Sequence, residues 1–410
     1  MIHKTLVPSL LLAATLSFGG CGTAMPAVPV SAFLAGDLAS VHEFAEQQVR
    51  EGAPENLALV LNVAGQCELY MGDTEKARRS LRRAAGIMGT WATSGDEATA
   101  AILGSESSKT YKGDPYEKAM NALLLAYCYL QKGEADNARA ALKRGILMDA
   151  EVADEEYQAD NALLFWMAGR MSRIYGGSGA EEFFAEARTA HEFALAHGSR
   201  GDAEASVVAD PEHGNLVLLL AVGLGPEKYG DGSERQLARF RPQPHPAVAA
   251  RAVLDGESLG RASILCDVDY QAMTLGGTAM EGIRKGKAVF RRSARTAGTI
   301  LLNESLRNRS RDQDKARAQA IVGGSLLLLS ALTSAAADTR HWPTLPSTVQ
   351  VLCADVPPGE HELVVEFLDA RGRPLPALRH TMSVAVPDTG ETWLLVPSLP
   401  QPQPQPRPRP

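Results

Sequence analysis

Three stretches of the chain repeat one pattern of small and large apolar residues, and this repetition limits the possible folds more than any other feature. The first, 61–84, carries Leu61, Ala64, Gly65, Gly72, Ala77, Leu81 and Ala84. The second, 122–145, carries Leu125, Ala126, Tyr129, Gly133, Ala138 and Leu142. The third, 164–187, carries Met167, Ala168, Met171, Ala180, Phe184 and Ala187. Small residues stand where two helices must approach closely, and larger apolar ones fill the space between. Gly72-Asp73 and Gly133-Glu134 fall at the turns, where glycine takes a positive φ without a Cβ clash. In the third stretch Tyr175 holds the turn position, with Gly176 and Gly177 directly after it. Each stretch therefore reads as a helix–turn–helix hairpin. Gly72 and Gly133 are 61 positions apart, and a Gly/Ser/Thr-rich insertion from about 86 to 113 fills the gap.

This pattern resembles the tetratricopeptide repeat, a helical hairpin of about 34 residues. The resemblance implies a small solenoid over 32–225, in which each degenerate repeat buries its apolar face against its neighbours. It also implies a concave face that receives a peptide or a partner helix. An irregular helical bundle is the alternative. Cys67 and Cys128 occupy equivalent places in the first two units, which fits two small buried hydrophobes better than a redox pair.

The amino terminus has the layout of an export signal. Lys4 supplies positive charge, Leu6 to Phe18 is mostly apolar, and Gly19-Gly20-Cys21 follows. The run is too short and wrongly flanked for a membrane-spanning helix. An apolar residue, two small residues and a cysteine resemble the bacterial lipobox, with Phe18 where that pattern prefers leucine. The resemblance implies cleavage of 1–20, a diacylglycerol on Cys21 and anchoring in the lipid bilayer through the acylated cysteine. Each buried methylene contributes about 0.8 kcal/mol, so three acyl chains hold firmly. Gly22, in place of a retention aspartate, implies the periplasmic face of the outer membrane. A linker over 21–31, with Pro26 and Pro29, would keep the first folded element near the bilayer. An ordinary signal peptide with an incidental cysteine is the competing reading.

Charge and cysteine usage narrow the function. The chain has 41 basic and 48 acidic residues, a net charge of −7, which argues against nucleic acid as a partner. Arginines cluster at 284–295 and 307–317, where alternation with apolar residues reads as solvated helix faces. Beyond Cys21 there remain Cys67, Cys128, Cys266 and Cys353. An oxidising periplasm permits disulfides among them, but no C-x-x-C and no Cys/His cluster with zinc spacing occurs. No metal and no cofactor is expected.

The second half changes character. Residues 226–262, with Pro242, Pro244 and Pro246 in alternation, read as an extended connection. Residues 263–337 read as a helical segment behind a short strand at 263–268, where Asp267 and Asp269 suit a turn or strand edge. Its stretch 318–337 carries no charge in twenty residues. Gln319, Ser325 and Gly323-Gly324 favour a buried helix there over a membrane span. From 338 to 399 the apolar period switches to two, as in a small antiparallel β domain. Strands are expected at 361–367, 382–386 and 393–396, with a hairpin tip at Asp369–Arg373. His361 and His380 are expected to face one another across that hairpin. The tail, 400–410, alternates proline with glutamine and arginine and suits an extended spacer. The fold class is α+β, mainly α: a helical repeat region, further helices, then a C-terminal β domain.

A second resemblance joins two distant runs. Tyr111-x-Gly113-x-x-Tyr116-Glu117-Lys118, leading into a repeat helix, and Asp338-Thr339-Arg340-His341-Trp342-Pro343-Thr344-Leu345-Pro346 resemble a family of uncharacterised bacterial lipoproteins with tetratricopeptide-like repeats. The family has no established catalytic residues, so the resemblance implies none here. The chain contains no H-E-x-x-H and no P-loop. The expectation is a non-enzymatic, membrane-anchored interaction scaffold, with other envelope proteins as partners and Tyr111, Tyr116, Glu117 and Tyr129 as partner-binding candidates. The alternative is a pore- or secretion-associated component that uses 318–337.

Overall fold

A computed structural model of the chain describes residues 25–89, 110–149, 161–174, 176, 179–232, 235, 237–275 and 337–401. Cys21, the arginine clusters at 284–317, the apolar stretch up to Ala336 and the tail after Gln401 lie outside the described residues. Among the described residues, no helix is long and apolar enough to cross a membrane.

The described chain is a mixture of helix and sheet. Helices α1 (Val30–Leu34) and α2 (Leu38–Glu51) lead into three hairpins. These are α3 (Leu57–Tyr70) with α4 (Thr74–Met88), α5 (Pro115–Leu130) with α6 (Ala135–Asp149), and α7 (Ala162–Ile174) with α8 (Ala180–Ala196). Consecutive helices pack side by side from α1 to α8. The turn glycines act as the sequence predicts, Gly72 at φ +86° and Gly133 at φ +71°. Close approach explains two further glycines. A Cβ on Gly65 would lie 2.7 Å from Leu81, and one on Gly169 would lie 2.5 Å from the Phe184 ring. These are corresponding contacts in the first and third hairpins.

The two helices of each hairpin differ. The second helix is amphipathic: α4 buries Ala77, Leu81, Ala84, Ala85 and Met88 along one stripe and leaves its arginines outside. The first helix is buried almost all round, as in α3 from Ala58 to Leu69 and α7 from Ala162 to Ser172. A helix covered on every side needs a second layer against its far face.

That layer is β-sheet. Strands β1 (Leu216–Val222), β7 (Thr348–Ala354), β6 (Ser263–Asp267) and β10 (Thr392–Pro397) form one sheet in the order β10-β1-β7-β6. Strands β4 (Ala249–Leu254), β5 (Glu257–Arg261), β8 (Gly359–Leu368) and β9 (His380–Val386) form another in the order β5-β4-β8-β9. A separate hairpin joins β2 (Glu227–Asp231) and β3 (Leu237–Arg241). Short helices α9 (Ser206–Ala209) and α10 (Val268–Leu275) flank the first sheet. Strands β1 and β10 run parallel, and the other named pairings are antiparallel.

The alternation of a strand's side chains makes β1 the centre of the molecule. Leu216, Leu218, Leu220 and Val222 enter the core between the two sheets with Val365 and Phe367. Val217 and Leu219 enter the helical core with Val349, Val351 and Trp393. Full burial of each such side chain contributes roughly 1.5–3 kcal/mol.

Three sequence expectations are corrected by this architecture. The helical region does not extend to 225, because Leu216–Val222 is a strand. Residues 226–262 are not an extended connection, since β2 to β5 lie within them. The strands after 338 do not form a separate β domain: β7 and β10 pair with β1, and β8 pairs with β4. Of the helical segment 263–337, the described part is β6 and α10. Cys67 and Cys128 are fully buried free thiols, as expected of small hydrophobes, and burial pushes both up to about 12.

Candidate functional site

The inner face of the helical stack is already occupied. The first sheet and residues 338–346 lie against α3, α5 and α7, so the surface expected to take a peptide is filled by the same chain. On α3, Gln66 accepts hydrogen bonds from the Trp342 indole N–H (2.9 Å) and the Thr344 hydroxyl (2.6 Å), and its own amide donates to the Thr344 carbonyl (2.8 Å). On α5, Tyr127 Oη accepts from the Leu395 amide and donates to the Trp393 carbonyl, while Gln131 donates to that same carbonyl at 2.8 Å. Two side chains thus satisfy the outer edge of β10, where another strand would otherwise pair. On α7, the buried Arg170 donates to Glu391 and to the carbonyls of Pro211, His213 and Gly214. Its guanidinium also lies over the Trp166 ring, 5.2 Å from the centroid.

The two sequence runs singled out by resemblance meet at the first end of this interface. Asp114 and Glu117 open α5 as a capping box, with Pro115 in the first turn. Glu117 Oε2 accepts from the Asp114 amide at 2.7 Å, and Oε1 accepts from the Trp342 amide at 2.5 Å. One carboxylate therefore caps its own helix and holds the 338–346 segment. From β2, Lys228 pairs with Asp114 and sits over the Phe240 ring of β3, which meets Tyr116 edge-on. Arg340 pairs with Asp338, donates to the Glu55 carbonyl and to Asn56 Oδ1, and covers the Tyr111 ring.

The electrostatics of this joint are unbalanced. Asp114, Glu117 and Asp338 face two cations, Lys228 and Arg340. Burial, reinforced by Asp114, pushes Glu117 up to about 7 against the pull of Lys228. Burial also works against the charge on Lys228, but Asp114, Asp338 and Glu117 outweigh it and hold Lys228 above its usual range. Burial alone would raise Asp338; Arg340 and Lys228 overcome it and hold that carboxyl low. Burial lowers His341 and lifts the Tyr111 and Tyr116 phenols far above their ordinary value.

These positions correct the partner-binding expectation. Tyr111, Tyr116 and Glu117 are buried at 3 %, 1 % and 0 % exposure, so they join the chain to itself and offer no surface to a partner. Tyr129 is half-buried under Arg78, apart from that joint. Cys21 lies outside the described residues. Asp267 and Asp269 come together at the end of β6, where Arg200 pairs with both and the Ser347 hydroxyl donates to Asp269 at 2.6 Å. His361 and His380 do not face one another, because the register places His361 opposite Val384 and His380 opposite Val365. His361 instead pairs with Asp255, and His380 meets the Leu399 carbonyl.

Sequence reasoning missed Arg170, Lys228 and Gln66. A lone arginine inside the apolar run Ala162–Met171 was a signal for Arg170, since a charge there needs a buried partner. Lys228 sits in a Gly/Pro-rich stretch that looks solvated and offers no local signal. Among the described residues, no group of three or more His, Cys, Asp or Glu is arranged to hold a metal.

No protein-family model matches the chain, and no curated protein matches it. Among solved structures, the crystal structure of MamA protein aligns with 42 % of this chain and 73 % of that chain, at 14 % identity and a TM-score of 0.28. A likeness of that size carries no argument about function. The architecture itself defines a class: a stack of helical hairpins whose inner face is closed by a β-sandwich of the same chain.

Proposed function

We propose that this protein is a lipoprotein of the bacterial envelope. It is acylated on Cys21, held at the periplasmic face of the outer membrane, and works as a non-enzymatic scaffold with tetratricopeptide-type repeats. Its partners are other envelope proteins. Support for the anchor comes from Lys4, the apolar run Leu6–Phe18 and Gly19-Gly20-Cys21. The observation that carries the scaffold reading is the repeated hairpin, with Gly65 on Leu81 and Gly169 on Phe184 as its recurring close contact. Because the inner face is filled, partners meet the outer helices and the outer sheet.

The test has two arms. Mass analysis of the mature chain should show an acylated Cys21 as the first residue; a free, unacylated terminus overturns the anchor. Photo-crosslinkers at the exposed positions Glu257 on β5 and Glu186 on α8 should capture the same envelope protein from living cells. Capture of none at either position overturns the scaffold.

A further inference from the structure

We propose that the outward face of α4 and α6 is a bilayer-contacting surface that binds anionic phospholipid headgroups. On α4, Lys76, Arg79, Arg82 and Arg83 are exposed. The one acid of that helix, Glu75, is shared among Arg78, Arg79 and Lys132. Arg82 and Arg83 ion-pair with none of the described acids. Helix α6 is tied alongside: Lys132 reaches Glu75 at one end, and Arg144 donates to the Ala85 carbonyl at the other. Arg144 thereby extends the same face, and the exposed Lys143 beside it lies over the Phe183 ring of α8.

This cationic stripe belongs to a chain of net charge −7, and its neighbours in the outer row are acidic. Helix α2 exposes Glu43 and Glu46, and α8 exposes Glu181, Glu182 and Glu186. An anionic plane attracts the middle of the row and repels its flanks, which fixes one orientation. The attraction falls off within a Debye length, about 8 Å at physiological ionic strength, so only direct contact uses it.

The amino-terminal segment enters the fold at the end of the stack where α3 turns into α4. Phe33 meets Tyr70 with ring centroids 6.2 Å apart, and Tyr70 ends α3 directly before the turn into α4. Met25, four residues after Cys21, already packs against the helical core. Four extended residues span at most about 14 Å, so an acyl group on Cys21 would keep this end of the stack at the bilayer. That placement rests on the proposed acylation, whereas the charge complementarity does not. A lipid chain combined with a basic patch is a common two-signal attachment.

Co-sedimentation tests the face separately from the anchor, using the chain from residue 22 onward, which keeps every described residue and carries no lipid. It should sediment with vesicles of phosphatidylcholine plus phosphatidylglycerol, not with phosphatidylcholine alone, and be released by about 0.5 M salt. The R79E/R82E/R83E variant should partition at least about tenfold less, while R79K/R82K/R83K should bind like the parent. If the glutamate triple variant fails to fold by circular dichroism, R82E and R83E singly carry the test, each with a measurable loss. Indifference to phosphatidylglycerol, or undiminished binding by folded glutamate variants, overturns the proposal. Since acylation is read independently by mass, a failed vesicle result leaves the anchor reading standing.

Discussion

The central sheet meets an apolar layer on one face and a layer of mixed apolar and polar contacts on the other. Toward the second sheet it presents Leu216, Leu218, Leu220 and Val222 to an apolar layer. Toward the helices it shares its core with Arg170, Gln66 and, at the joint, Glu117 and Arg340, which are buried and hydrogen-bonded. Apolar packing is non-directional and accepts substitutions that conserve volume. A buried polar contact requires its partner in one place, and losing either partner leaves the other unsatisfied in low dielectric. The difference suggests that the sandwich supplies bulk stability, whereas the helix–sheet interface specifies how the two layers meet.

The largest expected effect lies on the polar face. Arg170→Met keeps much of the side-chain volume but takes the guanidinium from Glu391 and three carbonyls, and should cost about 3–5 kcal/mol in urea denaturation. On the apolar face, Leu218→Ala should cost about 2–4 kcal/mol through the cavity it leaves, and Leu218→Met less than about 1.5 kcal/mol. An Arg170→Met cost no greater than that of Leu218→Met would break the comparison. Trp342→Phe removes the indole N–H that Gln66 accepts and should cost about 1–3 kcal/mol by the same measurement.

Two pH effects sharpen the contrast. Glu117 stands at about 7 when folded, against an ordinary 4.5. Between those values the native state holds a proton that the unfolded state has lost, so stability should fall as pH rises through this window. The Glu117→Gln variant should flatten that segment of the stability–pH curve; an unchanged slope would assign it to other groups. Asp338, held low, acts in the opposite sense, but below its ordinary 3.8. The smallest effect belongs to His361, whose Nδ1 faces Asp255 Oδ2 at 2.6 Å and whose Nε2 faces the Pro357 carbonyl at 2.8 Å. Only the imidazolium donates from both nitrogens, and the Asp255 carboxylate raises His361 above its ordinary value. Its contribution is complete below the unfolded value and is lost as pH rises through the folded one. An NMR titration of the ring should find the raised value, and Asp255→Asn should bring it down.

Local features of the sequence were readable where one face of an element is buried. The turns at Gly72 and Gly133, the cap of α5 and the strands β8, β9 and β10 all carried their own signals. Strand β1 did not, because Leu216–Val222 is buried on both faces, so its apolar run lacks the period of two and resembles the end of a helix. Strands β2 to β5 were hidden by proline alternation and short length. The joint was partly legible, since both of its runs stood out, but nothing in either encodes that Glu117 caps α5 and also holds Trp342. Pairings across more than two hundred residues are written in the packed chain and in no local pattern.

Hydrogen exchange of the backbone amides tests most directly whether the stack and the sandwich form one body. If they do, the amides of β1 and β10 and those of α3, α5 and α7 should share one protection level and exchange together, at the free energy of global unfolding. Early exchange of β1 and β10, with the three helices still protected, would mean an inner groove that opens by itself and would contradict this account.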